Sequence, residues 1–521
     1  MISAGALKDA LKRYWGYDAF RPKQEEIVRS ILEGRDVCVV MPTGGGKSLC
    51  YQLPAVLQTG KTAIVVSPLI ALMQDQVAQL DQMGISAAVL NSSQSWNEQR
   101  DIERRAEAGE FRLLYLSPER LAKQEMLEWL GKVPVSFFAI DEAHCISEWG
   151  HEFRPDYRQL KLLRKEFPEK PIAGFTASAT RPVRHDIIDQ LQLKDPGKFI
   201  ASFYRKNLNY QVVACDSRSQ EERLLAILRK HEGQSVIIYS PTKNKVGEIV
   251  AMLEEQGIST VGYHAGMEAQ ERRENQERWM ANEADVLVGT IAFGLGINKA
   301  PVRAVVHLSL PKSIEQYYQE AGRAGRDGLP SDCFLLWQIQ DQILLRYFIG
   351  KIIDPEEKAR AQQHQREIQR FVESRQCRHR MICEHFGEKV GWEKCGACDI
   401  CLRTPVVAHA SSVPKTVPPE PVIRQRRLRK STRPPSNPDK NRRATDGREI
   451  DQALFGALRK WRRDVSVRED VSAFIIMYDS VLRDICSTLP KTLADLARVH
   501  GIGQQKLARY GLEILEIVRK H

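Results

Sequence analysis

The stretch Asp36-Val-Cys-Val-Val-Met41-Pro-Thr-Gly-Gly-Gly-Lys-Ser48 decides how the chain folds. A short apolar run, a glycine-rich turn and an amphipathic stretch after it read as strand, phosphate loop and helix. Successive backbone N–H groups of such a turn wrap a triphosphate, and its glycines let the chain come close. Lys47 would neutralise charge at the β- and γ-phosphates, and Ser48 would hold Mg²⁺. Met41, Pro42, Thr43, Gly44, Gly45, Gly46, Lys47 and Ser48 are therefore candidate nucleotide contacts, with Met41 standing where a strict P-loop begins with glycine.

Outward from this loop, the apolar runs TAIVVSP, FRLLYLSP, SFFAIDE and IAGFTAS each end in loop residues. A second set follows in QSVIIYSP, ADVLVGT, RAVVHLS and CFLLW. Amphipathic stretches separate the runs, the pattern of a parallel sheet covered on both faces. The fold class is thus α/β, with one set in residues 1–201 and the second in 202–340. SFFAI delivers Asp141-Glu142-Ala-His144 to the end of a neighbouring strand, where ligands bind in such sheets. Asp141 would hold Mg²⁺ through water, and Glu142 would activate the attacking water.

The whole chain has 521 residues, 42% hydrophobic and 27% charged, ordinary values for a globular chain of roughly three to five domains. No apolar run approaches the roughly 18 residues of a membrane span, and the N-terminus carries no signal-peptide core. Five of the eleven cysteines fall between Cys377 and Cys401, which reads as a metal cluster in a reducing compartment. Cys395-Gly-Ala-Cys398-Asp-Ile-Cys401 supplies three thiolates for a structural Zn²⁺. Cys377, Cys383, His379 and His385 compete for the fourth place. The net charge of +11 is concentrated: residues 402–449 carry +8, eight prolines and no aromatic residue, and residues 450–521 carry +3. Residues 341–401 read as a helical metal-binding unit, 402–449 as a disordered or extended basic linker, and 450–521 as a small helical domain. The linker is expected to supply salt-sensitive, nonspecific affinity for a polyanion.

Read in order, the motifs resemble those of the RecQ family of superfamily two helicases. Trp15-Gly-Tyr17-Asp-Ala-Phe-Arg21-Pro-Lys-Gln24 is similar to that family's adenine-recognition segment. The resemblance implies that Tyr17 stacks on the base while Arg21 and Gln24 hydrogen-bond its edge. SPLIALMQDQV (67–77) and YLSPER (115–120) match segments that contact one DNA strand. DEAHCISEWGHEFRPDY (141–157) matches the Mg²⁺ motif joined to an aromatic-rich loop. YHAGM (263–267), GTIAFGLGINK (289–299) and YYQEAGRAGRDG (317–328) complete the set. By resemblance Arg323 and Arg326 are arginine fingers, His144 belongs to the catalytic motif and Gln319 to the nucleotide contacts. Trp149, His151, Phe153, Arg154 and Tyr157 couple DNA to hydrolysis, and Cys377 is the remaining zinc ligand. Thr176-Ala-Ser178 departs from the family in carrying Ser where a second Thr is usual.

The implied architecture is two RecA-like lobes, a helical zinc-binding segment and, in residues 450–521, an HRDC-like domain, with no winged helix between them. The turn Gly501-Ile-Gly503 is either an anion-binding element or a plain interhelical turn. The implied activity is 3′–5′ unwinding of DNA driven by ATP and Mg²⁺ in recombination and repair, in the cytoplasm and at a bacterial nucleoid. Single-stranded and forked duplex DNA, and a single-strand-binding protein, are the expected partners. A translocase or annealing factor that does not separate strands, an interaction scaffold and an RNA helicase are the competing readings.

Overall fold

A computed structural model describes residues 3–91, 94–150, 152–291, 299, 301–402, 451–469 and 473–521. The proposed coupling residue His151, most of the GTIAFGLGINK motif and the basic linker beyond Leu402 lie outside these residues.

The first sheet holds seven strands: β1 (Val37–Val40), β2 (Thr62–Val66), β3 (Ala87–Leu90), β4 (Leu113–Leu116), β5 (Val135–Ile140), β6 (Ile172–Thr176) and β7 (Gly197–Ile200), in the order β3-β4-β2-β5-β6-β1-β7. A second sheet holds β8 (Leu208–Ala214), β9 (Ser235–Tyr239), β10 (Thr260–Tyr263), β11 (Val286–Gly289), β12 (Val302–His307) and β13 (Ser331–Trp337), ordered β10-β11-β9-β12-β13-β8. Every pairing within both sheets is parallel. Parallel sheets must be covered on both faces, and the central strands are accordingly buried at every position. Nine of the strands are the nine apolar runs of the sequence. The remaining four, β3, β7, β8 and β10, are the four sheet edges.

β6 lies between β1 and β5 and sets the geometry of the cleft. Val40 pairs with Thr176 and Ile140 with Gly174, so Met41, Thr176 and Asp141 emerge side by side at one edge of the sheet. The opposite edge is closed by a buried ion pair. Asp36, just before β1, accepts hydrogen bonds from Ile172 N (2.8 Å) and Lys194 N (2.6 Å) and pairs with Arg164. Arg164 also donates to the carbonyls of Gln192, Pro168 and Lys170.

Two helices follow the second sheet, the largely apolar Ile339–Gly350 and the long, charged Pro355–Glu373. Next comes a compact unit that adds to the outer edge of β8: Cys398 bridges Tyr210, and Val212 N donates to the Asp399 carboxylate. Residues 452–469 and 473–520 form a small helical domain with its own core around Leu458, Leu482, Ile485 and Ile514. Its last helix, Gln504–Lys520, buries Gly511, Ile514 and Leu515 on one face, and Thr492 with Asp495 forms a capping box at the start of the helix before it.

Arg164→Ala leaves the Asp36 carboxylate buried without its cation, a loss of about 3–5 kcal/mol for a buried pair. Urea unfolding of the variant is expected to show this. A midpoint unchanged from the parent would show that backbone bonds alone close that edge.

Candidate functional site

The phosphate loop is built on β1. Met41 N donates to Thr176 O (3.0 Å) and the Met41 side chain is buried in the core, so this position anchors the loop to the sheet. Gly44 and Gly46 hold φ of +79° and +84°, and a side chain on Gly46 would collide with the Gln24 amide. Lys47 opens the helix Lys47–Leu57, its Nζ 3.5 Å from Met41 O. Gln24 Nε2 donates to the carbonyls of Gly45 (3.3 Å) and Gly46 (3.2 Å), its Oε1 accepts from Arg21 N (2.9 Å), and Arg21 Nη1 donates to Gly44 O. Arg21 and Gln24 are thus brought onto the loop itself. Tyr17, half-buried, stacks against His500 of the terminal domain, ring centroids 4.6 Å apart.

Asp141 follows β5 and is buried, its N donating to Val66 O and its Oδ1 accepting from Glu142 N (3.0 Å). Burial, and then the charge of Glu142, push the Asp141 carboxyl up to about 7, with Lys47 pulling the other way. A crowded, desolvated carboxylate at this edge has the chemistry of a cation site. Glu142 sits in the left-handed region at φ +47°, a conformation that costs a non-glycine residue about 1–3 kcal/mol. Its carboxylate lies 3.3 Å from His144 Nδ1, which is also 2.9 Å from Thr176 Oγ1. Thr176 Oγ1 in turn accepts from Ser178 N (3.3 Å), so the substituted motif keeps its polar chain.

The second lobe closes on this edge. Gln319 is brought to Ser178, not to the phosphate loop, its Nε2 donating to Ser178 Oγ at 2.7 Å. Arg326 lies alongside Gly44, while Arg323 is buried beside Tyr239. Burial, then the neighbouring Arg323 and Arg205, bring Arg326 down to about 9, still charged at neutral pH. Three guanidiniums packed together by a phosphate loop make an anion site. Arg205 is the residue that motif reading missed. Its Nη1 donates to Thr43 O (2.8 Å) of the first lobe, and its Nη2 to Ala324 O (3.2 Å) and Gly325 O (3.1 Å) of the second. Its only sequence signal is a basic residue in the junction SFYRKNLNY.

In the aromatic-rich loop Trp149 is 55% exposed and Phe153 36%. Arg154 Nη1 donates to Pro68 O (3.1 Å), joining this loop to the 67–77 segment. Tyr157 differs from its neighbours: it is fully buried, and its hydroxyl donates to Asp141 O (3.0 Å). Arg360, on the helix Pro355–Glu373, faces Glu148 (3.7 Å) and lies over the Trp149 ring.

The Sγ atoms of Cys377, Cys395, Cys398 and Cys401 lie within 4.8 Å of one another. The pairs Cys395–Cys401 and Cys377–Cys398 are 3.8 and 4.0 Å apart. Tetrahedral Zn–S bonds of about 2.3 Å place sulfurs about 3.8 Å apart, so the four thiols fit this metal. The rivals are elsewhere. Cys383 is outside the cluster, His385 bonds Glu315, and His379 touches the cluster from outside, with Nδ1 3.2 Å from Cys395 Sγ and Nε2 3.1 Å from Arg205 O.

Comparison with known proteins agrees with this geometry. The DEAD/DEAH box helicase profile matches residues 21–186, the helicase conserved C-terminal domain 219–328, the RecQ zinc-binding domain 339–402 and the HRDC domain 451–518. The chain is 34% identical over 595 aligned residues to the ATP-dependent DNA helicase RecQ of Pasteurella multocida (strain Pm70), covering 98% of this chain and 93% of that one. It is 40% identical over 396 residues to the ATP-dependent DNA helicase RecQ of Bacillus subtilis (strain 168), covering 76% and 66%. The solved structure of the DUF1998 helicase MrfA bound to DNA and AMPPNP shares the fold, with a TM-score of 0.53 at 20% identity over 66% of this chain and 52% of that one. With a near-full-length relative and four domain profiles in the order that the motifs take along one cleft, the chain belongs to the RecQ family of superfamily two helicases.

Proposed function

We propose that this chain is an ATP-dependent DNA helicase that moves 3′ to 5′ along one strand and separates the duplex ahead of it, in recombination and repair. The observation that carries the reading is the closure of the second lobe's arginines onto the first lobe's phosphate loop, beside the Asp141–Glu142 pair. Met41 to Gly46, Lys47 and Ser48 bind the triphosphate, and Asp141 with Ser48 holds Mg²⁺, which supplies charge neutralisation at the phosphates. Glu142, held by His144, takes the proton of the attacking water. Arg326 and Arg323 meet the charge that develops on the γ-phosphoryl group, work worth about 10³–10⁵ in rate for such residues. Tyr17, Arg21 and Gln24 select adenine.

Trp149 and Phe153 stack on bases of a single strand, with His151 and Arg154 at its backbone. Tyr157 passes the position of that loop to Asp141 through its hydroxyl. Gln319 ties the second lobe to Ser178, so lobe closure is registered at the strand that separates the phosphate loop from the carboxylates. The zinc unit, held by Cys377, Cys395, Cys398 and Cys401, braces the aromatic loop through Arg360. Forked duplex and single-stranded DNA are the substrates, and a single-strand-binding protein is a partner. The setting is the bacterial cytoplasm, at the nucleoid. No helix among the described residues is long and apolar enough to cross a membrane.

Three outcomes test this. Lys47→Ala abolishes hydrolysis and unwinding of a forked duplex, whereas Glu142→Gln binds nucleotide and turns over about 10²–10⁴-fold more slowly. Parental turnover by Glu142→Gln would remove Glu142 from the role of base. Trp149→Ala with Phe153→Ala, each stacking contact contributing about 1–3 kcal/mol, keeps nucleotide binding and loses stimulation by single-stranded DNA in a steady-state ATPase assay. Undiminished stimulation would place the coupling elsewhere. Metal analysis of the purified protein gives one zinc per chain, and Cys401→Ser lowers that content. Full zinc content in Cys401→Ser would remove Cys401 from the ligand set.

A further inference from the structure

The terminal helical domain is seated on the adenine segment. His500 precedes the turn Gly501-Ile502-Gly503, and that turn packs against residues 13–16 of the first lobe. Gly501 N donates to Gly16 O (3.4 Å), Ile502 is buried, and a side chain on Gly503 would collide with the carbonyls of Arg13 and Tyr14. The turn therefore faces protein in this arrangement and does not offer its backbone to a phosphate. A second anchor lies on the same lobe: Tyr510 Oη donates to Gln82 Oε1 (2.5 Å), and Arg509 Nη1 donates to the same oxygen (3.0 Å). Gln82 Nε2 in turn donates to Glu469 Oε2 (3.1 Å). These contacts bring the His500 ring against Tyr17, 4.6 Å between centroids with planes inclined by 27°.

We propose that His500 is a positioning residue of the nucleotide site: it holds one face of the Tyr17 ring, so that the other face receives the adenine base. The inference rests on Tyr17 being the adenine-stacking residue. Three observations carry it. Rings in contact at this distance leave no space for a base between them, so His500 and the base do not share a face. The contacts nearest His500, at residues 13–16 and at Gln82, lie on the lobe that carries Tyr17, while Arg459 and Arg463 at the far side of the domain reach Ala281 O and Glu283 of the second lobe. Arg21 and Gln24, the edge-reading side chains, are already folded onto the phosphate loop, and the Tyr17 ring, packed on the first-lobe core, has His500 as its ring-stacking partner. His500 is itself exposed on its outer side, so its replacement removes the stack and leaves both cores intact.

The test uses the full chain with DNA-stimulated hydrolysis of ATP and of GTP. Tyr17→Ala raises KM for ATP. His500→Ala raises KM for ATP about two- to tenfold, the span an aromatic pair contributes, with kcat unchanged and the KM for GTP, whose base offers the same stacking face, rising in parallel. His500→Phe, which restores a stacking ring, returns KM for ATP to the parental value. If Tyr17→Ala raises KM for ATP and His500→Ala does not, the stack is a docking contact only and the inference fails while the adenine reading stands. A lower KM for ATP in His500→Ala would mean that the domain excludes the base, and also overturns it. If Tyr17→Ala leaves KM unchanged, the adenine reading fails and the inference with it.

Discussion

One guanidinium holds the working parts of this molecule together. Arg205 lies between the two sheets, and its planar fork takes the carbonyl of Thr43 in the phosphate loop together with those of Gly322, Ala324 and Gly325 in the arginine turn. Its own carbonyl meets His379, whose other ring nitrogen faces Cys395 Sγ. Nucleotide loop, finger turn and metal unit are therefore registered against one residue. A lysine there has a single compact ammonium and no fork, so it would not hold carbonyls on both sides of the cleft in one plane. The carbonyls cannot be displaced without moving their loops, which makes the contact a gauge of how far the lobes are closed.

The charges on the two sides of the cleft are mismatched in complementary ways. On the first lobe, Asp141 and Glu142 crowd at the sheet edge. On the second, Arg323 and Arg326 crowd with Arg205. Each cluster is unfavourable alone because like charges are held close in a site stripped of water. A magnesium nucleotide carries a cation for the first cluster and phosphate charge for the second, so binding relieves both. The left-handed Glu142 belongs to the same arrangement, since strained backbone of this kind persists only where its surroundings over-determine it.

The sequence made the central strands legible and hid the edges. β1, β2, β5 and β6 are buried on both faces and read as unbroken apolar runs. β7 alternates partly buried and exposed residues, and β8 mixes Asn, Tyr and Gln into its seven residues. β3 opens on two small alanines and β10 mixes Thr, Gly and Tyr with one Val, so neither stands out as an apolar run. The motif side chains were legible because loops after central strands carry them in fixed order. Arg205, the Gln319–Ser178 bond and the seat of the terminal domain were not, because their partners lie more than a hundred residues away in the chain. Tyr157 shows the converse: its spacing matches that of Trp149 and Phe153, and only packing distinguishes a ring under the carboxylates from rings open to a strand of DNA.

The unit that carries the four cysteines also lies along the outer edge of β8, where Cys398 bridges Tyr210 and Asp399 accepts from Val212. An uncovered outer strand presents a row of backbone donors and acceptors that another chain can copy. β8 pairs with β13 over its full length and would offer such a row were that unit to unravel. Thiolate chemistry at one small site thus keeps a strand edge covered. Were those thiols oxidised or their metal withdrawn, the outer edge of β8 would lie open to pairing with another chain, and the same loss would reach the ATP cleft through His379 and Arg205.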